Sequence, residues 1–290
     1  MKTIVAATSH PYVPVPNLRS RFCPDELRER LLRSDIVAVD LDECVNPGFS
    51  QTELGYLIFF AIATKPLASS DRRFLPQMLA GGAYIRKVSF LSRIGRIPSN
   101  QELMQRYEKS MRGIPEAYFF TQARRIPTRS FSGALETLRL LGRRVPLGFI
   151  SLGIDIIAEE YVRQLNCDGK PHVRFADSNR IIFATDDNGR RVFERYHAPL
   201  LVGPEDKLRI LKLRMAQLDA SYPLVIGNSN DEIAMATLAR NSGGLSIGIL
   251  PARCDASEFD LMVTTPSWLP LLTLLEKMLP MTKKTGGKAL

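Results

Sequence analysis

The stretch IVAVDLDECVNPG, residues 36–48, decides the fold. Ile36 to Val39 are continuously apolar rather than alternating, the pattern of a central strand buried on both faces of a parallel sheet. Three acids, Asp40, Asp42 and Glu43, crowd the carboxyl end of that strand within four positions. Their mutual repulsion has to be offset by something positive. In open α/β sheets, ligands bind in the crevice beyond the carboxyl ends of the strands, so this is also the place for a site.

Outward from this strand, helical and strand patterns alternate. GALETLRLLG, residues 133–142, puts Leu135, Leu138 and Leu141 on one helical face and stops at Gly142, after which VPLGFIS resumes a strand. Then come a helix from about Glu205, a strand in YPLVIG (222–227), a helix from Asp231, a strand in GLSIGIL (244–250), a short strand near 261–264 and a last helix from Ser267. Such alternation predicts an α/β fold, a doubly wound parallel sheet. Two pieces break the rhythm. RIIFATDDNGRRVFERY, residues 180–196, reads as an antiparallel hairpin appended to the sheet, with a type I′ turn at Asn188-Gly189. Residues 49–130 read as an inserted helical cap: SNQELMQRYEKSMRG spaces Ser99 and Glu102 as a capping box, puts Leu103, Tyr107 and Met111 on one face, and ends at Gly113. The expected organisation is a core of residues 1–48 and 131–290 and a cap of residues 49–130.

The composition agrees with a soluble globular protein: 290 residues, 45% hydrophobic and 24% charged. The longest apolar run, LGYLIFFAIAT, is about half of the roughly 18 residues that would argue for a membrane span. The amino-terminal MKTIVAATSHPYVPVP is a poor secretory signal, and a cytoplasmic location is expected. Cys23, Cys44, Cys167 and Cys254 are far apart and without a neighbouring His at metal spacing, which argues against zinc or a disulfide framework. The net charge of +9 is regional: residues 49–130 hold 13 Lys/Arg against 5 Asp/Glu, and the tail KKTGGKAL adds three lysines. The arginines are scattered and carry no recognised nucleic-acid motif, so a solvated helical surface is the plainer reading and nucleic acid an improbable partner.

Chemistry-bearing residues recur at the ends of the strands. Asp40 and Asp42 fit a nucleophile and its acid/base partner, although a lone D-x-D equally fits an Asx-type turn. Ser151, ending the strand FIS, suits anion binding or a helix cap. Lys207, in the first turn of GPEDKLRIL, could hold a phosphate or be a surface lysine. Asn228, Ser229, Asn230, Asp231 and Glu232 end another strand and could ligate or simply form a polar loop.

In this order the segments closely resemble the haloacid dehalogenase (HAD) superfamily of phosphotransferases, in its phosphoserine phosphatase-like branch. The likeness rests on D-x-D-x-C-V, with Cys44 where the family usually has Thr or Val; on FSGALETLRLLG; on the Ser-x-Gly turn and helix of FISLGIDIIAEEYV; and on the hairpin NRIIFATDDNG before Lys207. It spans about residues 36–250 and leaves the cap sequence unidentified. It implies a HAD-like Rossmannoid core and a Mg²⁺-dependent phosphatase acting on a small phosphorylated metabolite through an aspartyl-phosphate. Asp40 would be the nucleophile and Asp42 the acid and then the base. Ser151 and Lys207 would hold the phosphoryl oxygens, with Gly153 and Asp231 also contacting substrate. Mg²⁺ would be held by Asp40, Asp42, Asn228 and Glu232, offsetting the clustered acids. The likeness also implies a cap Glu and Arg that grip the substrate, here Glu53 with Arg72, Arg73, Arg86 or Arg93. One departure matters: the family's Gly-Asp-x-x-x-Asp falls on Gly227, Asn228 and Glu232, so a metal-ligand aspartate is replaced by a neutral amide. This substitution favours the alternative of a catalytically weak HAD-fold binding or regulatory subunit.

Overall fold

The computed structural model describes residues 15–93, 99–250 and 258–279, with backbone alone for 89–93. Cys254, residues 1–14, the side chain of Arg93 and the lysine-rich tail lie outside the described residues. In chain order the elements are β1 (Leu18–Ser20), α1 (Pro24–Arg33), β2 (Ile36–Val39), α2 (Ser50–Ala63), α3 (Leu75–Arg93), α4 (Asn100–Met111), α5 (Glu116–Ala123), α6 (Ala134–Gly142), β3 (Leu147–Ile154) and α7 (Asp155–Leu165). There follow β4 (Val173–Asn179), β5 (Ile181–Thr185), β6 (Arg191–Tyr196), α8 (Pro204–Gln217), β7 (Pro223–Gly227), α9 (Ile233–Asn241), β8 (Leu245–Ile249), β9 (Leu261–Val263) and α10 (Leu269–Met278).

Among the described residues seven strands form one sheet in the order β1-β9-β8-β7-β2-β3-β4, parallel throughout except for β1, which pairs antiparallel with β9 at the edge. β2 is central because the sequence requires it: Val37 and Val39 join one apolar cluster, and Ile36 and Ala38 join the cluster on the opposite face with Ile210, Leu211 and Met235. The chain leaves β2 for β3 on one side and later returns through β7 on the other. Strand order therefore reverses at β2, which opens a crevice at its carboxyl end. The apolar run LGYLIFFAIAT lies within α2, and among the described residues no helix is long and apolar enough to cross a membrane.

The expected antiparallel hairpin is present as β5-β6, a two-stranded sheet of its own. Several expectations need correction. The hairpin turn is not type I′: Gly189 alone has positive φ, Gly189 N–H donates to Asp186 O (2.9 Å) and Asp186 N–H to Arg190 O (2.8 Å), giving a three-residue loop with a left-handed glycine. The three-residue solution lets the Asp186 carboxylate collect the Asn188 and Arg190 N–H groups at 3.0 and 2.9 Å. Ser151 does not end its strand, because β3 continues to Ile154. The helix expected from Asp231 starts at Ile233 after a 3₁₀ turn over Asn230–Glu232. Ser99 caps α4 by accepting from Glu102 N–H, and the buried face of that helix is Met104, Tyr107 and Met111, with Leu103 only half-buried.

Candidate active site

Sheet register brings the segments together. Val39 lies opposite both Phe149 of β3 and Ile226 of β7, so the chain emerges at Asp40 beside the end of β7 and alongside the longer β3. Asp40 N–H donates to Ile226 O at 2.9 Å. The chain then coils tightly: the Val45 and Asn46 N–H groups both donate to Leu41 O, with Glu43 in the left-handed region at φ 57°. This coil carries Asp42 back to the start of α2, where Ser50 N–H donates to its Oδ1 at 2.9 Å. Beside it in β3, Gly153 N–H donates to Ser151 Oγ at 3.0 Å. The side chains converge on one spot. A β-carbon on Gly153 would lie 3.2 Å from Ser151 Oγ, 3.6 Å from Asp42 Oδ2 and 3.9 Å from Ser50 Oγ.

Lys207, from the first turn of α8, is buried and reaches under this spot. Its Nζ donates to Asp40 Oδ1 at 2.6 Å and to Glu232 Oε1 at 2.5 Å. Glu232 Oε2 accepts from Asn228 N–H (3.1 Å), Ser229 N–H (2.9 Å) and Ser229 Oγ (3.0 Å), so both its oxygens are committed to the protein. The polar loop after β7 is thus a capping box that delivers one carboxylate to Lys207. Position 227 must be Gly here, because a β-carbon would sit 2.2 Å from Glu232 Cγ.

Electrostatics distinguish the acids. Burial pushes the Asp40 carboxyl up to about 8, against the pull of Lys207. Burial also raises Asp42 and Asp231, the latter half-buried. In Glu232 the same burial is outweighed by Lys207 and the loop N–H groups, which hold its carboxyl below the usual range. Lys207 is raised: burial disfavours its charge, and the two carboxylates more than reverse that. Four acids thus share one lysine in a desolvated crevice, which still lacks positive charge. Among the described residues no three His, Cys, Asp or Glu side chains form a closed metal cage. The oxygen donors Asp40, Asp42 and Asn228 nevertheless suit a hard cation that keeps waters and takes only one or two carboxylates from the protein. Cys44 is a buried free thiol that burial pushes up, in keeping with a packing role.

All the residues singled out in the core therefore meet in one crevice: Asp40, Asp42, Ser151, Gly153, Lys207, Asn228, Asp231 and Glu232. Glu53 lies near enough to Asp42 to help raise its carboxyl, while Arg72 and Arg73 are engaged elsewhere. Arg72 donates to Ala63 O and Lys65 O, Arg73 stacks on Phe74, and Glu53 pairs instead with Arg129. Arg129 and Ser50 were not legible beforehand. Ser50 meets the Asp42 carboxylate with both its N–H and its hydroxyl only because the chain coils back after β2, and Arg129 sits in RRIPTRS, which has no distinguishing pattern.

No protein-family model and no curated protein sequence matches the chain. Solved structures do. A phosphoserine phosphatase in its apo form superposes with a TM-score of 0.56 at 16% identity, covering 83% of this chain and 98% of that one. A phospho-aspartyl intermediate analogue of phosphoserine phosphatase gives 0.56 at 17% identity, over 83% and 98%. The chain has the fold of phosphoserine phosphatase. Cytosolic 5′-nucleotidase IIIB bound to cytidine is similar too, with a TM-score of 0.57 at 19% identity over 91% of this chain and 94% of that one. In this fold the crevice at β2 is where the segments carrying Asp40, Ser151, Lys207 and Asn228 come together.

Proposed function

We propose that the chain is a Mg²⁺-dependent phosphatase that hydrolyses an organic phosphate monoester through an aspartyl-phosphate. The observation that carries this reading is the placement of Asp40 against Lys207 at 2.6 Å, next to the spot shared by Ser151, Gly153 and Asp42. Lys207 occupies Asp40 Oδ1 and leaves Oδ2 to attack phosphorus. As that bond forms, the bond from phosphorus to the ester oxygen breaks. Asp42, whose Oδ1 is fixed by Ser50 N–H, gives its proton from Oδ2 to the departing oxygen. Burial, which raises the Asp42 carboxyl, suits it to hold that proton. The deprotonated Asp42 then takes a proton from water, which attacks phosphorus and releases Asp40 and phosphate. Ser151 and Lys207 stabilise the equatorial oxygens. Mg²⁺, held by the Asp40 carboxylate, the Asn228 amide oxygen and the main-chain carbonyl of Asp42, would supply the positive charge that four acids and one lysine lack. Glu232, with both oxygens engaged, positions Lys207 rather than a metal. The helices between β2 and β3 form the cap, and the similar enzymes, one a phosphoserine phosphatase and one holding cytidine, support an organic monoester as substrate.

The test is a hydrolysis screen over phosphate monoesters with and without Mg²⁺, using Asp40→Asn as the blank, combined with beryllofluoride or labelled-phosphate trapping on Asp40. Metal-dependent turnover that disappears in Asp40→Asn supports the reading; turnover surviving in that variant removes the mechanism. Asn228 favours a second reading, a HAD-fold binding or regulatory subunit, which would bind phosphorylated ligands without turning them over.

A further inference from the structure

The face of α2 that follows the reaction centre is aromatic. Phe49, Glu53, Tyr56 and Phe60 recur at helical spacing and, with Arg125 and Arg129, line a cavity of about 560 Å³. Phe49, Tyr56 and Phe60 are 50%, 43% and 61% exposed, aromatic surface grouped on one wall, as at many ligand-binding grooves. The cavity continues the phosphoryl site along the chain. Its lining includes Gly48 and Phe49, immediately before Ser50, whose N–H holds the Asp42 carboxylate that would protonate the leaving oxygen.

The polar groups in the wall are unequal. Arg129 is paired with Glu53. Arg125 donates to the neutral Gln122 Oε1 at 3.2 Å and meets no carboxylate among the described residues. An anionic group on a ligand in the cavity would therefore find one guanidinium already neutralised and one still without a counter-charge. A space of this size falls in the range of about 300–1,000 Å³ that encloses drug-sized ligands, well beyond what a short amino alcohol fills.

We propose that this cavity receives the alcohol part of the substrate, and that this alcohol is a flat, largely apolar ring system bearing a second acidic group directed to Arg125. The aromatic wall supplies area and ring contacts, and Arg125 supplies the charge-assisted bond that fixes orientation. The assignment rests on the phosphatase reading and narrows its substrate class.

The experiment compares kcat/KM for ethyl phosphate, benzyl phosphate and 3- and 4-carboxybenzyl phosphate, in the presence of Mg²⁺. All are esters of aliphatic alcohols, so the ring is not confused with a more acidic leaving group. The benzyl ester should exceed the ethyl ester about tenfold, and one carboxybenzyl isomer should exceed benzyl by a similar factor. Arg125→Gln should collapse the carboxybenzyl-to-benzyl ratio, and Phe60→Ala the benzyl-to-ethyl ratio. Both side chains are at the surface, so folding should be unaffected, which circular dichroism checks. Turnover of all esters at ratios that neither variant moves would overturn the substrate assignment while leaving the phosphatase intact. Absence of turnover for every ester, with no phosphate trapped on Asp40, would instead bring down the phosphatase reading and this assignment with it.

Discussion

Lys207 and Glu232 form a buried ion pair, Nζ to Oε1 at 2.5 Å, and the same glutamate closes the turn after β7 through its other oxygen. One side chain therefore ties α8, β7 and the crevice into a single electrostatic unit. Asp40 is the third member, at 2.6 Å from the same ammonium.

Removing the ammonium strands two desolvated carboxylates. Lys207→Met should therefore destabilise the fold by about 3–5 kcal/mol, the cost of breaking a buried pair from one side. The loss should be smaller at pH 5 than at pH 8.5, because Asp40, already raised to about 8, takes up a proton and sheds its charge as pH falls. Urea unfolding at the two pH values measures both effects. A Lys207→Met/Asp40→Asn double variant should recover part of the loss at pH 8.5; an equal loss at both pH values would show that packing, not charge, is responsible.

Gly153 is where Ser151 and Asp42 leave the least room. A methyl there would lie 3.2 Å from Ser151 Oγ and 3.6 Å from Asp42 Oδ2, both ends of side chains that can shift at little cost in stability. Gly153→Ala should accordingly keep its thermal midpoint within a few degrees and lose about tenfold in kcat/KM, the effect of roughly 1.4 kcal/mol in the transition state, because the methyl would enter the space between Ser151 Oγ and Asp42 Oδ2 where the phosphoryl group is proposed to bind. Wild-type turnover in the variant would place the reacting phosphoryl group elsewhere.

The parallel sheet was legible because IVAV and YPLVIG are apolar without alternation, which only burial on both faces explains. The crevice was legible for the same reason: every acid, serine and lysine singled out follows or lies in such a strand, or opens the next helix. What escaped reading depends on contacts remote in sequence. The strand VRFADSN buries Val173 and Phe175 around an exposed Arg174 but ends in residues that read as a turn, and its partner β3 is what makes it a strand. β1, only three residues long, exists through its pairing with β9 more than 240 positions away. Glu53 was singled out as a candidate, but its partner Arg129 was not, because an arginine among 13 basic residues between 49 and 130 carries no mark of the helix it will meet.

Asp155 offers a pH test apart from the reaction. At the start of α7 its Oδ1 accepts from Ile156 N–H at 2.8 Å, and both its oxygens take Ile181 N–H at 3.2 Å, with Glu159 and Arg180 the nearby charges. Burial pushes its carboxyl up to about 6 from the ordinary 3.8. A carboxyl raised on folding contributes stability that is full below about pH 4 and is lost as pH rises through about 6. Asp155→Asn keeps an acceptor oxygen and cannot ionise. The unfolding free energy of the variant minus that of wild type should thus rise between pH 4 and pH 7, by on the order of 1–2 kcal/mol after allowance for partial exposure. A pH-independent difference would count against a raised Asp155.

Asn228 leaves the proposed metal site one carboxylate short, and the structure changes which neighbour can compensate. Glu232 has both oxygens engaged, one by Lys207 and one by three donors of its own loop. Asp231 is half-buried, raised by burial, and its carboxylate has no hydrogen-bond partner among the described residues. If a second acid helps hold Mg²⁺, Asp231 is the one with oxygens to spare. Asp231→Asn should therefore raise the Mg²⁺ concentration for half-maximal turnover severalfold. Glu232→Gln should lower stability with little change in that concentration. Asn228→Asp should tighten Mg²⁺, because the ion's protein ligands are usually carboxylates, and should raise turnover at limiting metal. Titrations followed both by turnover and by calorimetry separate metal binding from chemistry. A shift in Glu232→Gln that matches Asp231→Asn would return Glu232 to the metal. If wild type and all three variants bind no Mg²⁺ at millimolar concentration, the regulatory-subunit reading replaces the phosphatase.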